Sequence, residues 1–172
     1  LSGYRDPVTA TRISLKSLAR RYLELHDEIA DLQVPMHALV DELAPDLLAR
    51  VGIGYESAAQ LLITAGDNPE RLASEASFAM LCGAAPLPAS SGMTTRHRLN
   101  RGGDRAANSA LHMIAISRWR IDPTTQAYVA RKKTEQHSNH EILRTIKRYI
   151  APEVYYLLTN QHISVPHDAP SD

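Results

Sequence analysis

The residue types best suited to chemistry fall in one stretch, Pro88-Ala-Ser-Ser-Gly-Met-Thr-Thr-Arg-His-Arg-Leu-Asn-Arg-Gly-Gly-Asp104. Its serines and glycines disfavour helix, because glycine is entropically costly there and serine prefers caps and turns. Arg96, Arg98 and Arg101 follow with no acid among them, and Arg105 comes next. Asp104 stands where the N-cap of a following helix is expected, with a carboxylate able to accept orphan N–H groups. Phosphate is the ligand that suits such a surface, since guanidinium forks bind it bidentately and a helix N-terminus favours an anion. A serine hydroxyl beside these cations can attack a phosphodiester and hold the broken strand as a phosphoserine ester. The hydroxyl is weakly nucleophilic at its ordinary pKa, so it needs activation and charge stabilisation nearby. The plainer reading is a solvated Ser/Gly/Arg connection between two helices.

A second stretch, Leu47 to Gly66, is the other candidate for phosphate contact. A helix ends, Val51-Gly-Ile-Gly54 turns tightly, and an apolar helix begins near Ser57. This is a helix-hairpin-helix pattern, in which Gly52 and Gly54 permit positive φ and close backbone approach to a DNA phosphate. The alternative is an ordinary corner between two helices with a Gly-x-Gly turn. Metal chemistry has weaker support. His137 and His140 are three apart but straddle a helix cap, and no Cys pair or carboxylate cluster accompanies them, so no metal site is expected. A Ser-His-Asp triad cannot be assembled from spacing alone, and Cys82 reads as a small buried hydrophobe.

These groups need a helical frame. Helix is expected over 8–33, with Leu15, Leu18, Tyr22, Leu25, Ile29, Leu32, Met36, Leu39 and Leu43 spaced as the a/d seam of a coiled coil. Pro35 is expected to kink or restart that helix. The seam serves either a dimerising arm or an internal hairpin, with helix 15–32 folded onto helix 36–49. A short helix is expected over 74–81, with Phe78 and Met80 available to the core. Helix 104–121 should bury Ala107, Leu111, Ile114 and Ala115. Asp122-Pro123 restarts the chain as helix 123–133. Ser138-x-x-Glu141 is a capping box for helix 139–150, with Ile142, Leu143, Ile146 and Ile150 inward and Arg144, Lys147 and Arg148 outward. Pro152 is expected to begin a last short helix, and Thr159–Asp172 reads as a loose tail. The fold class is all-α with no significant sheet. The expected divisions are a helical arm at 1–46, a helix-hairpin-helix domain with its serine loop at 47–158, and a tail at 159–172.

The segments Leu81-Cys-Gly-Ala-Ala-Pro-Leu-Pro-Ala-Ser-Ser-Gly92 and Arg98-Leu-Asn-Arg-Gly-Gly-Asp-Arg105 resemble the C-terminal part of the insertion-sequence-one-ten transposases, a group that includes the Piv-type DNA invertases. The resemblance covers 47–158 well and the arm loosely. It implies that Ser91, directly before Gly92, is the nucleophile, with Ser90 as fallback. It also implies a separate N-terminal RNase-H-like domain that brings four acidic residues and divalent metal (Mg). That domain lies outside these 172 residues, so no cofactor is expected in this chain. It reads as a fragment of a longer protein, inactive by itself. The position after Gly92 is often basic in the family and is Met93 here, which removes a phosphate contact. The implied partners are DNA and, in some relatives, a guide RNA from the element. Lys132, Lys133, Arg144, Lys147 and Arg148 offer a surface for either. The family also tips the seam toward a coiled-coil arm that joins copies of the chain, and implies a bacterial cytoplasmic, nucleoid-associated setting.

Composition agrees with a core-forming chain: 44% of residues are hydrophobic, with a single Trp and a single Phe, so aliphatic side chains must build the interior. One cysteine excludes an internal disulfide and fits a reducing compartment. No apolar run reaches membrane length and no signal peptide is evident. Formal net charge is zero, yet 12 of the 19 Lys+Arg and only 4 of the 19 Asp+Glu lie within 91–148. That asymmetry points to a polyanion-binding face. Two function classes stand: a recombinase domain that binds nucleic acid and donates a serine, and a non-catalytic helix-hairpin-helix module that binds DNA and dimerises through its arm.

Overall fold

A computed structural model of the chain describes residues 6–66, 72–88, 97–98, 100 and 102–161. The chain forms two units, 1–39 and 40–172. The first unit holds most of α1 (Pro7–Leu43). Asp6 starts this helix: its carboxylate accepts from the backbone N–H groups of Val8 and Thr9, and Pro7 occupies the first helical position. The helix is unbroken through Pro35. The expected restart is therefore absent, and no turn separates 15–32 from 36–43, so the folded-back hairpin does not form. Leu15, Leu18, Tyr22, Ile29 and Leu32 are all more than half exposed.

The second unit has its core around α5 (Arg105–Ile121). Against it pack α3 (Tyr55–Ala65), α6 (Pro123–Thr134) and α7 (Asn139–Gln161), while α4 (Glu75–Leu81) packs on α7. A short α2 (Pro45–Leu48) joins α3 and α7. Ala107, Leu111, Ile114 and Ala115 are fully buried, as their helical spacing requires. Leu61 of α3, Phe78 of α4, and Ile142, Ile150, Val154 and Leu158 of α7 are buried as well. Met80 does not join this core and stays 41% exposed, because it sits on the outer side of α4 from Phe78.

The caps expected from sequence form. Asp104 accepts from the N–H groups of Ala106 and Ala107, and Asp122 from that of Thr125. Ser138 and Glu141 close a reciprocal box, Ser138 N–H donating to the Glu141 carboxylate and Glu141 N–H to the Ser138 hydroxyl. Pro152 does not start a new helix; α7 runs through it. An interior proline costs about 3 kcal/mol, and the buried row Ile150, Ala151, Val154 and Leu158 on either side offsets that.

No residue pattern signals a strand, yet a minimal antiparallel ladder is present. β1 (Leu87–Pro88) pairs with β2 (His97–Arg98), Leu87 opposite Arg98 and Pro88 opposite His97. Among the described residues, no helix is long and apolar enough to cross a membrane.

Candidate nucleic-acid interface

The geometry of the site begins at the C-terminal end of α4. Cys82 caps the helix and Gly83 follows at φ +62°. Gly83 N–H bonds to Met80 O, and Ala84 N–H reaches back to Ala79 O, the paired bonds of a Schellman ending. The carbonyls at this end then receive donors from the segment ahead of α5 and from α5 itself. Asn100 Nδ2 donates to Met80 O at 3.0 Å, Asp104 N–H to Leu81 O at 2.7 Å, and Asn108 Nδ2 to Cys82 O at 2.8 Å. At the glycines, backbone meets backbone. A Cβ built on Gly103 would lie 2.5 Å from Gly83 N and 2.7 Å from Leu81 O. The glycine is required by that approach, since no side chain fits it. Asp104 is held a second way, because its Oδ2 lies 2.9 Å from the hydroxyl of the buried Thr64 on α3.

This latch puts Gly83–Pro86 and Asn100–Asp104 side by side. Together with α5 and α7 they wall a cleft of about 1010 Å³. Arg105 enters from α5, and Arg144, Lys147 and Arg148 from α7, against Asp104 and Glu141. Pro86 and Asn100 both line it. The β1–β2 ladder lies between them in sequence, and residues 89–96 join its strands.

Lys147 differs from the expectation that it points outward. It is half-buried, and its Nζ donates to Asn108 Oδ1 at 2.9 Å. The same amide donates to Cys82 O, so the Asn108 orientation is fixed at both ends. Burial, and then the charge of Arg144, hold the Lys147 pKa below its ordinary value. His112 in the same wall is pushed down by burial first, then by Lys147 and His140, which favours the neutral imidazole. Cys82 is fully buried, and desolvation with the nearby Asp104 charge raises its thiol to about 12. That rules out a thiolate nucleophile at neutral pH.

The sequence-predicted site residues divide as follows. Arg105, Arg144, Lys147 and Arg148 come together in the cleft. Lys132 pairs instead with Glu135, and Lys133 lies over the Trp119 ring at 5.2 Å, and neither lines that cleft. Ser90, Ser91, Arg96 and Arg101 lie outside the described residues, as does the side chain of Arg98. Gly52 and Gly54 behave differently from each other. Gly52, at φ +82°, faces α5, where a Cβ would meet Arg118 Cγ at 2.9 Å. Gly54, at φ −104°, is the N-cap of α3 and has nothing within 4 Å of a built Cβ. Arg118 ties the turn down: its Nε donates to Val51 O, and its two terminal nitrogens grip the Glu153 carboxylate at 2.7 and 3.1 Å. Asn100 and Asn108 are site residues that sequence reasoning misses. Their roles depend on carbonyls 20 and 26 residues away, which no local pattern signals. Among the described residues, no group of three or more His, Cys, Asp or Glu is placed to hold a metal ion.

Comparison with known proteins agrees with the motif reading. Residues 46–130 match the Transposase IS116/IS110/IS902 family. Over 139 residues the chain is 29% identical to the insertion element IS110 uncharacterized 43.6 kDa protein of Streptomyces coelicolor, covering 79% of this chain and 34% of the relative. Over 138 residues it is 28% identical to the insertion element IS900 uncharacterized 42 kDa protein of Mycobacterium paratuberculosis, covering 76% and 34%. The chain thus spans about a third of the length of these relatives. The matched segment, running from α2 through the latch, much of the cleft and most of α6, belongs to the Transposase IS116/IS110/IS902 family.

Proposed function

We propose that this chain is the nucleic-acid-gripping and serine-donating part of a transposase. The α5–α7 cleft holds backbone phosphates through Arg105, Arg144 and Arg148, and Ser91 (failing that, Ser90) attacks the scissile phosphodiester. The observation that carries this reading is the position of the cleft. Its two rim residues, Pro86 and Asn100, bound the ladder that brackets Ser90, Ser91 and Gly92 in sequence. A cationic hollow beside a hydroxyl-bearing segment stabilises the charge that builds on phosphorus during attack. Arg96, Arg98 and Arg101 belong to the same segment and add to that charge. The half-buried Lys147 is held by Asn108 at the cleft wall, where it adds positive potential without needing to reach solvent. In the complete protein an acidic, magnesium-binding RNase-H-like domain supplies the remaining chemistry. DNA is the substrate, and a guide RNA is the second polyanion for the basic face of α6 and α7. The Val51–Gly54 turn is a further backbone contact, through the open side of Gly54. The exposed seam of α1 joins copies of the chain.

Two measurements test this. Duplex DNA binding by the chain should weaken steeply with salt. Arg144→Gln with Arg148→Gln should lower the affinity and reduce the log–log salt slope by about 2, near 0.9 for each phosphate no longer neutralised. Salt-independent binding would sink the cleft reading. In the complete transposase, Ser91→Ala should bind DNA but form no covalent protein–DNA adduct. Equal adduct from wild type and variant removes Ser91 from the mechanism.

A further inference from the structure

Next to the cationic cleft is a second hollow of different character. It measures about 310 Å³ and lies between α6 and α7, with Tyr128, Arg131 and Lys132 on one side and Thr145 and Tyr149 on the other. His137, Glu141 and Thr145 line both hollows, so the two adjoin. The aromatic side chains here are not core. Tyr149 is 69% exposed, although burying a ring of that size is ordinarily favourable. It sits edge-to-face with Tyr128, ring centres 6.3 Å apart, and the Arg131 guanidinium lies 5.5 Å from the Tyr128 ring centre.

Charge separates the roles of the two hollows. The larger has four cationic side chains from α5 and α7. In the smaller, Lys132 and Arg131 are both engaged by Glu135. The Glu141 carboxylate stands in the shared wall, held ionised by its bonds from Ser138. With its cations already paired to Glu135, the smaller hollow has little charge left to hold a phosphate, and a flat, uncharged base needs none. The smaller hollow therefore lacks the charge of a phosphate site and has the aromatic surface of a base site.

We propose that the α6–α7 hollow is a stacking site for an unpaired nucleobase, with Tyr149 as its platform and Tyr128–Arg131 bracing that platform. The strand's phosphates run through the adjoining cleft. This rests on the nucleic-acid reading above and narrows it: the strand crossing this face is single-stranded at that point, because a base inside a duplex has both faces covered by its neighbours. Aromatic platforms beside a cationic groove are the general means of holding unpaired strands without reading sequence.

The test uses the whole chain with three labelled probes: a short oligodeoxyuridylate, the matching oligouridylate, and a blunt duplex of equal length. Tyr149→Ala should weaken binding of the single strands by roughly 5- to 100-fold, the usual cost of losing one base–aromatic stack. Its duplex affinity and salt slope should stay at wild-type values. Tyr149→Phe, which keeps the ring, should bind all three probes as wild type does. Tyr128→Ala should show the same selectivity with a smaller loss. A greater loss for one of the two single strands assigns the site to that sugar. Unchanged single-strand affinity in Tyr149→Ala, while Arg144→Gln with Arg148→Gln still weakens all probes, overturns the stacking site alone. Failure of the wild-type chain to bind any of the three probes overturns the cleft reading with it.

Discussion

The two glycines of the Val51–Gly54 turn should respond oppositely to the same substitution. At Gly52 the backbone is left-handed, and alanine there costs about 1–2 kcal/mol in conformation alone. The added methyl also meets Arg118 Cγ at 2.9 Å and, at 3.3 Å, the backbone N of Arg118 and O of Ile114. The Arg118 stem cannot swing away cheaply, because its guanidinium is fixed by Val51 O and the Glu153 carboxylate. Overpacking of this kind costs about 1–3 kcal/mol. Gly52→Ala should therefore destabilise the domain by about 2–5 kcal/mol, a melting shift of roughly 8–20 °C for a unit of this size. Gly54→Ala meets open space at an ordinary φ. Its poorer N-cap is offset by reduced unfolded-state entropy, so its melting point should stay within about 3 °C of wild type. Binding should invert the order. Gly54→Ala should lose roughly 5-fold in duplex DNA affinity if a phosphate sits against that turn. Gly52→Ala, assayed well below its melting point, should bind as wild type. Thermal unfolding by circular dichroism and anisotropy with labelled duplex read both quantities. A wild-type melting point for Gly52→Ala would refute the packing argument. Weakened binding by folded Gly52→Ala, with none in Gly54→Ala, would refute the assignment of roles.

Other perturbations have equally definite expectations. Arg118→Ala leaves Val51 O without its donor and Glu153 with only the longer Arg50 contact at 3.8 Å. With Glu153 about a third exposed, the loss should be about 2–3 kcal/mol in urea unfolding, with no change in m-value. The raised Cys82 thiol gives an alkaline signature. Its folded pKa of about 12 exceeds the ordinary 9, so its contribution to stability is whole below pH 9 and is lost as pH rises toward 12. Cys82→Ala should flatten the stability profile in that window, and native Cys82 should resist thiol reagents at neutral pH. For α1, sedimentation of the whole chain should show a dimer or larger species at micromolar concentration, and Leu18→Asp with Leu25→Asp should return it to monomer. A wild-type monomer would leave the seam without a partner copy.

The helices of the second unit are legible in the sequence because their signals are local. Asp104, Asp122-Pro123 and Ser138-x-x-Glu141 satisfy their own first turns, and the apolar stripe of α5 repeats at helical spacing. Pro152 misleads for a related reason. A sequence reading weighs the missing N–H of Pro152 but not the buried side chains that carry α7 past it. At the cleft, the clustering of Arg144 and Arg148 is legible from charge. The burial of Lys147 is not, because its partner Asn108 lies on a different helix, 39 residues earlier. The glycines of the Arg-Gly-Gly-Asp segment look like loop residues. Gly103 proves to be a packing residue whose neighbour, Gly83, belongs to the other half of the motif.

The latch at the end of α4 has an evolutionary corollary. Both stems of the segment between Pro86 and Asn100 are moored to the same helix terminus by carbonyl bonds and a glycine–glycine contact that do not involve residues 89–96. Through these bonds the fold places no demand on the identity of residues 89–96, so a demand on Ser90, Ser91 or Gly92 across the family must come from chemistry.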